Sequence, residues 1–169
     1  TRRRATQQAM RTIFEALTKL LAPILAFTAE EAWSYLGRGS SVHLEEFPVV
    51  DEALRDSAAE QAVQELLRLR GVIGQAIEQA RQEKLIGNAL EAAVVLRCDQ
   101  AGISSIPNDQ LEEFFILSEL KLESGQEPAA FITKTTHAKC SRCWRHRPTV
   151  GKSAAHPELC DRCEAVVAS

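Results

Sequence analysis

The sequence predicts an α+β fold that is mainly helical and ends in a small cysteine-rich module. Three observations indicate it. Apolar residues recur every three or four positions over much of residues 10–84, short alternating segments follow between 92 and 134, and two Cys-x-x-Cys pairs stand near the end. We expect three parts, with boundaries at 1–55, 56–134 and 135–169.

Composition fits a globular protein. Of 169 residues, 45% are apolar and 25% are charged. No apolar run approaches the roughly 18 residues that a membrane span needs, and the start, TRRRATQQAM, lacks the apolar core of a signal peptide. We therefore expect a cytoplasmic setting and no membrane partner. Because the chain starts within a helical pattern and without Met, we also expect it to be a fragment of a longer protein.

The first part is predicted to form a helical hairpin. The apolar stripe of its first helix consists of Met10, Phe14, Leu17, Leu21 and Ile24. Pro23 should end or kink that helix. Thr28, with Glu31 three residues later, predicts a capping box that starts a second helix, in which Trp33 faces inward before Gly37 ends it. The stretch that follows is rich in Gly, Ser and Pro, and its segment SVHLEEFP is predicted to be extended.

The second part begins with a predicted helix over residues 56–84. Its apolar face comprises Val63, Leu66, Ile73, Ile77 and Ala80. Arg70 falls on the same stripe, either as a side chain that extends along the surface to water or as an RNA contact. AAVVLRC is a short β-type run, ELKLES and AFITKT alternate like strands, and PNDQLEEFFIL is again helical. A small α+β unit is therefore expected, in which Cys98 is a buried small hydrophobe.

The four cysteines near the end have the spacing of a zinc site. Cys140 and Cys143 form one pair, and Cys160 and Cys163 form the other after sixteen intervening residues. Two such turns complete a tetrahedron of thiolates, which leaves no position for water, so we expect one structural Zn²⁺ rather than a catalytic one. A dithiol redox site is the other interpretation of Cys-x-x-Cys. Three nearby histidines are either substitute ligands or exposed loop residues: His137, His146 and His156.

Positive charge is concentrated around these cysteines. Residues 134–163 carry seven Lys or Arg against two acidic residues, a formal +5, which leaves −8 for the rest of a chain whose net charge is −3. Zinc with four thiolates contributes about −2, so the module stays positive at roughly +3. Cations beside an exposed aromatic suit single-stranded nucleic acid, because phosphates pair with the cations and a base stacks on the ring. The candidate RNA contacts are Arg142, Trp144, Arg145, Arg147 and Lys152.

Two other interpretations of these residues stay open. Trp144 could instead pack on the knuckle as a miniature core, with the arginines merely solvating the module. The N-terminal cluster of Arg2, Arg3, Arg4 and Arg11 could also bind phosphates, or form a solvated helix end. We find no Walker loop, Rossmann fingerprint, Gly-x-Ser-x-Gly elbow or His-Glu-x-x-His motif, and hence no catalytic constellation.

At family level the chain resembles a known enzyme along essentially its whole length. LLAPILAFTAEEAWSYL is similar to the helical anticodon-binding domain of class I aminoacyl-tRNA synthetases for aliphatic amino acids. The segments SVHLEEFP, IEQARQEKLIGNALEAAVVL, KCSRCWRH and LCDRC narrow the resemblance to the C-terminal part of bacterial-type isoleucyl-tRNA synthetases. The four-cysteine module is the selective feature, because valyl and leucyl enzymes share the form of the helical motif.

The resemblance implies an anticodon-stem domain, a junction domain and a zinc domain that reaches the anticodon end of tRNA(Ile). It implies the four cysteines as zinc ligands, and Arg142 and Trp144 as RNA contacts within Cys-x-Arg-Cys-Trp. The family's His-x-Gly-His and Lys-Met-Ser-Lys-Ser signatures are absent, so the chain should be inactive alone and depend on the catalytic and editing domains of a full-length enzyme. Two alternatives remain: the zinc module is a structural or protein-interaction cap, or it is the DNA-binding ribbon of a DNA glycosylase.

Overall fold

The computed structural model describes residues 2–168 and confirms the α+β class. The chain forms two compact units, the first ending at Arg55 and the second beginning at Asp56. Thr1 and Ser169, the outer limits of the first and third predicted parts, lie outside the described residues. Within the described part, no helix is both long and apolar enough to cross a membrane.

The first unit is the predicted helical hairpin. Helix α1 spans Arg2–Leu21 and α2 spans Ala26–Ser34. Trp33 on α2 is the centre of a small core, because its side chain is only 1% exposed and its indole N–H donates to the Ser40 carbonyl at 3.1 Å. The buried residues packed with it are Ala22, Ala29 and Val42.

Two local predictions for this unit are wrong. Thr28 does not cap α2, because that helix already begins at Ala26, with Leu25 at its N-cap and no side-chain cap hydrogen bond. The segment SVHLEEFP is not fully extended, since Val42–Leu44 form a 3₁₀ turn. The physical reason for the turn is Glu30 on α2, whose carboxylate accepts hydrogen bonds from the Ser41 hydroxyl at 2.8 Å and the Val42 amide at 3.0 Å. These bonds fold the segment onto α2 and bury Val42.

The predicted apolar stripe is helical as far as Leu21, whereas Ile24 lies in the turn after α1, and the stripe is not buried within this unit. Its side chains are exposed to solvent, although the three- and four-residue spacing is that of a buried face. The exposed members are Met10, Phe14, Leu17, Leu21 and Ile24. The unit therefore presents an extended apolar surface.

The second unit is organised around α3, which spans Ser57–Gln82 and is capped by Asp56, whose carboxylate accepts a hydrogen bond from the Ala59 amide at 3.0 Å. The predicted core face is buried at Leu66, Ile73 and Ala80, whereas Val63 is exposed. Arg70 is also exposed, and its guanidinium carbon lies 5.9 Å from the centre of the Phe114 ring. This position fits the interpretation in which Arg70 lies along the surface of the apolar core.

A three-stranded sheet packs with α3 and α4. Strand β1, Ala92–Cys98, is central; it pairs in parallel with β2, Glu119–Ser124, and antiparallel with β3, Ala129–Lys134. Helix α4, Asn108–Phe115, makes the crossover from β1 to β2. Alternate β1 side chains enter the core, and Cys98 is fully buried among them, as predicted. The crossover places the acidic face of α4 near the cysteine-rich tail, to which its Glu112 is bound.

The tail has little regular structure. Its one helix within the described residues is α5, Asp161–Val167, and a single β-bridge joins Lys139 to His146. Its small core contains Cys140, Leu159, Cys160 and Cys163, with Cys143 and Val150 packed against them. A core of this size supplies little burial energy, which is the situation in which a metal ion commonly supports the fold.

Candidate metal centre and nucleic-acid interface

The four predicted ligand sulfurs converge on one point. The Sγ atoms of Cys140, Cys143, Cys160 and Cys163 all lie within 4.8 Å of one another, and those of Cys143 and Cys160 are 3.8 Å apart. A tetrahedral site with Zn–S bonds of about 2.3 Å has sulfur–sulfur edges of about 3.8 Å. The cluster therefore fits one zinc ion with four thiolate ligands, which is a closed, structural site.

Backbone hydrogen bonds shape the two turns that carry the cysteines. In the first turn, the Trp144 amide donates to the Cys140 carbonyl and the Cys140 amide donates to the Arg145 carbonyl, both at 2.9 Å. In the second, α5 begins directly after Cys160, so Cys163 falls on its first turn. The Ser141 amide donates to the Glu158 carbonyl at 3.0 Å and ties the two turns together. The pairs therefore face each other as the spacing predicts.

Burial and backbone hydrogen bonds shift the pKa values of Cys140 and Cys160 in opposite directions. Burial raises the pKa of Cys160 to about 12, with further upward shifts from the neighbouring thiols. Burial also raises the pKa of Cys140, but hydrogen bonds from the amides of Cys143, Cys160 and Arg142 outweigh it and lower that pKa to about 6. The Cys140 thiolate is thus stabilised by the backbone. A divalent cation would favour the deprotonated form of all four ligands.

The histidines are not part of the cluster that the described residues form. His146 is half-buried and its Nδ1 lies 2.7 Å from the His137 carbonyl oxygen, while His137 Nε2 lies 3.7 Å from a Glu119 carboxylate oxygen. His156 is also half-buried. All three histidines are therefore less exposed than expected, but the candidate metal site consists of the four sulfurs alone.

Trp144 is exposed and its backbone is strained. Its side chain is 63% accessible, which argues against a miniature core on the knuckle. Its φ of 65° lies in the left-handed region that L-residues rarely adopt. The Lys139 ammonium nitrogen lies 5.3 Å from the ring centre, a cation–π distance. The ring also borders a groove of about 560 Å³ that Lys139, His146 and the turn at 88–91 complete.

The predicted cationic contacts differ in their availability. Arg142 and Lys152 are exposed, and an Arg142 Nη1 approaches the Cys163 sulfur at 3.9 Å. Arg145 is half-buried, and its pKa is lowered by burial and then by repulsion from Arg147 and Arg162. These last three arginines line a cleft of about 380 Å³ beside the sulfurs. Arg147 is the least available of the candidates for RNA contact, because its guanidinium binds Glu112 at 2.7 Å.

Sequence reasoning missed two residues that hold this surface. Glu112 on α4 binds Arg147, and Ser118 accepts a hydrogen bond from the His146 amide at 2.8 Å. Both are buried, at 6% and 2% exposure. Glu112 lies next to Glu113 in a segment that looks like a solvated helix face. The one available signal was the apolar pattern of α4, in which Glu112 falls between Leu111 and Phe115 on the buried side.

The N-terminal arginines belong to the other unit. Arg3 and Arg4 are exposed, and Arg11 is paired with Glu15 on the same helix at 2.9 Å. The side chain of Arg2 lies outside the described residues. Exposure of Arg3 and Arg4 is compatible with a solvated helix end and with phosphate binding alike.

Comparisons with known proteins match both ends of the chain. Residues 1–96 match the family described as the anticodon-binding domain of tRNA ligase, and residues 139–166 match the zinc finger found in FPG and IleRS. The second match covers all four cysteines. Together with the sulfur geometry, it supports one structural Zn²⁺ in this chain.

Curated relatives match over nearly the whole chain. The isoleucine–tRNA ligases of Syntrophotalea carbinolica, Fervidobacterium nodosum and Geobacter sulfurreducens are 38%, 37% and 34% identical to it, in each case over 98% of the chain. The chain spans only about a fifth of their length, at 19%, 19% and 20%. It matches part of such a ligase rather than a whole one. The chain belongs to the family of anticodon-binding domains of tRNA ligases, and it ends in a zinc finger of the kind found in FPG and IleRS.

Proposed function

We propose that the chain is the tRNA-binding C-terminal portion of an isoleucine–tRNA ligase. It holds tRNA(Ile) through the anticodon stem-loop, while a catalytic domain elsewhere in the longer protein carries out ATP-dependent aminoacylation in the cytoplasm. Residues 1–55 form part of the helical anticodon-binding domain, residues 56–134 a junction domain and residues 135–169 the zinc module. The chain contributes binding energy and orientation rather than chemistry.

The observation that carries this proposal is Trp144. It is a large aromatic that stays exposed on a strained backbone position directly after a candidate zinc ligand, beside a groove of about 560 Å³. A folding role does not explain why so bulky a residue occupies a left-handed position. A stacking platform does, because metal ligation on one side fixes the backbone and the ring gives up little freedom when a base binds.

The charged residues would then bind the phosphates that flank the stacked base. Arg142 lies between Cys140 and Cys143, so its backbone is fixed on both sides. Arg145 lies in the cleft beside the sulfurs, where neighbouring arginines repel it and an anion would relieve that repulsion. Lys152 adds an exposed ammonium. Each phosphate contact releases counterions, so binding should weaken steeply with salt.

The zinc finger alone does not decide between tRNA and DNA, because the matching family includes FPG as well as IleRS. The helical match over residues 1–96 favours tRNA. The other alternative, a structural or protein-interaction cap, explains the four cysteines but not the exposed ring of Trp144.

The rest of the full-length protein is the second partner of this chain. The exposed apolar stripe of α1 is typical of a surface that other helices cover. The curated relatives are about five times longer than the matched region. We propose that additional segments of the same ligase cover this apolar surface.

The direct test is binding of tRNA(Ile) by the zinc-loaded chain over a series of salt concentrations, with and without a chelator. With zinc bound, the logarithm of the binding constant should fall with the logarithm of the salt concentration with a slope of several units. Removal of zinc should abolish most of the affinity. Binding that is insensitive to both salt and chelator would refute the role of the zinc module.

A further inference from the structure

Two contacts, which we call the joint, fix the zinc module to buried residues of the α+β part of the second unit. Glu112 Oε2 lies 2.7 Å from Arg147 Nη2, and the Ser118 hydroxyl accepts a hydrogen bond from the His146 amide at 2.8 Å. The joint therefore consists of Glu112 and Ser118 on one side and His146 and Arg147 on the other.

Of the two contacts in the joint, the one between Glu112 and Arg147 restricts the geometry more. The Glu112 side chain is 8% exposed, and that of Arg147 is 25% exposed. A buried carboxylate is costly to leave without a partner, so this geometry strongly favours the arrangement in which Arg147 is held against α4. Asn108 Nδ2, 3.5 Å from the other Glu112 oxygen, further restricts the carboxylate.

The joint acts on the segment that carries the proposed RNA contacts. Within the module, the Arg145 carbonyl accepts from the Cys140 amide at 2.9 Å and the Arg147 amide donates to the Ala138 carbonyl at 3.1 Å. The His146 amide and the Arg147 guanidinium of the same segment, residues 145–147, bind the α+β part through the joint. Trp144 directly precedes this segment. A segment anchored to the first zinc turn at one end and to α4 at the other has one orientation, and it sets the direction in which the Trp144 ring is presented.

We propose that Glu112, with Ser118, is a positioning residue for tRNA binding that acts through Arg147 and Trp144. This inference rests on the proposed function and adds to it, because Glu112 itself is too buried to touch RNA. It also gives Arg147 a role different from a phosphate contact: its guanidinium is occupied in orienting the module.

The first measurement is amide hydrogen exchange in the zinc-loaded chain. Glu112→Gln keeps the shape and removes the charge, Ser118→Ala removes only the acceptor for the His146 amide, and Glu127→Gln, at an exposed loop site, is the control of matched charge. We expect both joint variants to speed exchange at residues 145–147 by about tenfold or more, with one zinc retained and the Cys140 amide still protected. The control should exchange like the wild type. Unchanged exchange in both joint variants would overturn the joint.

The second measurement is a double-mutant cycle on tRNA(Ile) affinity with Glu112→Gln and Trp144→Ala. If Glu112 acts through Trp144, Glu112→Gln should weaken tRNA binding about fivefold in the wild-type background and hardly at all in the Trp144→Ala background. Fully additive effects would show that Glu112 does not act through Trp144, and would refute the positioning role. Wild-type affinity in the Trp144→Ala variant alone would instead refute the proposed RNA surface, whatever the exchange rates are.

Discussion

Replacing Trp144 by Ala and by Gly should separate the ring's contribution to RNA binding from the cost of its backbone conformation. At φ 65° an L-residue is disfavoured by about 1–2 kcal/mol relative to the right-handed region, and Gly is not. Gly also gives up more entropy on folding, by about 0.5–1 kcal/mol. The net expectation is that Trp144→Gly makes the zinc module more stable than Trp144→Ala does, by up to about 1.5 kcal/mol.

The two variants should weaken tRNA binding to the same extent. Both remove the stacking platform, which is worth about 1–3 kcal/mol per base, or roughly 5- to 150-fold in the dissociation constant. They also remove the Lys139–ring contact equally. Because stacking releases no counterions, the salt dependence of binding should stay that of the wild type.

The assay combines two measurements on zinc-loaded protein. Resistance of the module to a competing chelator reports its stability, and fluorescence anisotropy with labelled tRNA(Ile) reports binding. Wild-type affinity in either variant, with zinc retained, would show that the ring is not a tRNA contact. A Gly variant less stable than the Ala variant would show that the strain of the left-handed backbone is smaller than the entropy that Gly loses on folding.

Three further predictions concern the metal, the cations and catalysis. Cys140→Ser should lower the zinc content well below one equivalent, and full zinc content in this variant would contradict the prediction. Like chelation, the substitution should unfold residues 135–168 while the core of α3 and the sheet stays folded, as measured by far-UV circular dichroism and hydrogen exchange. Arg145→Gln with Lys152→Gln should flatten the log–log salt slope by about 0.7 for each phosphate that is no longer neutralised, whereas Lys121→Gln on the sheet should leave it unchanged. The chain alone should show no isoleucine-dependent pyrophosphate exchange, and exchange above background in protein free of contaminating synthetase would contradict the assignment.

Much of the candidate metal site could be predicted from sequence because its chemistry is local. Two residues between cysteines define a turn, and the turn fixes the direction of both sulfurs. The same holds for the existence of β1, where a short run of β-type residues predicts a strand, although the alternation in burial appears only in the structure. For Trp144 the sequence indicates exposure but leaves packing on the knuckle open, because a ring directly after a ligand has room either to fold back or to project outward.

The features that sequence reasoning missed depend on contacts between distant residues. Glu112 and Arg147 are 35 positions apart, and neither pattern alone shows that a carboxylate on an acidic helix is buried by an arginine in the tail. Similarly, Glu30 folds the segment at Val42 into a turn that its own composition does not favour. Helix α2 starts at Ala26, before the capping motif at Thr28, because the preceding turn already places the backbone in position for a helix.

The most direct test of the account is hydroxyl-radical footprinting of tRNA(Ile) bound to the zinc-loaded chain, with Trp144→Ala as the matched variant. The zinc module is proposed to contact the anticodon end through this ring. We therefore predict protection of anticodon-loop nucleotides in the wild-type complex, and its selective disappearance in the variant at concentrations where protection of the anticodon stem remains. Protection that is confined to other parts of the tRNA, or that is identical in the two complexes, would contradict the account.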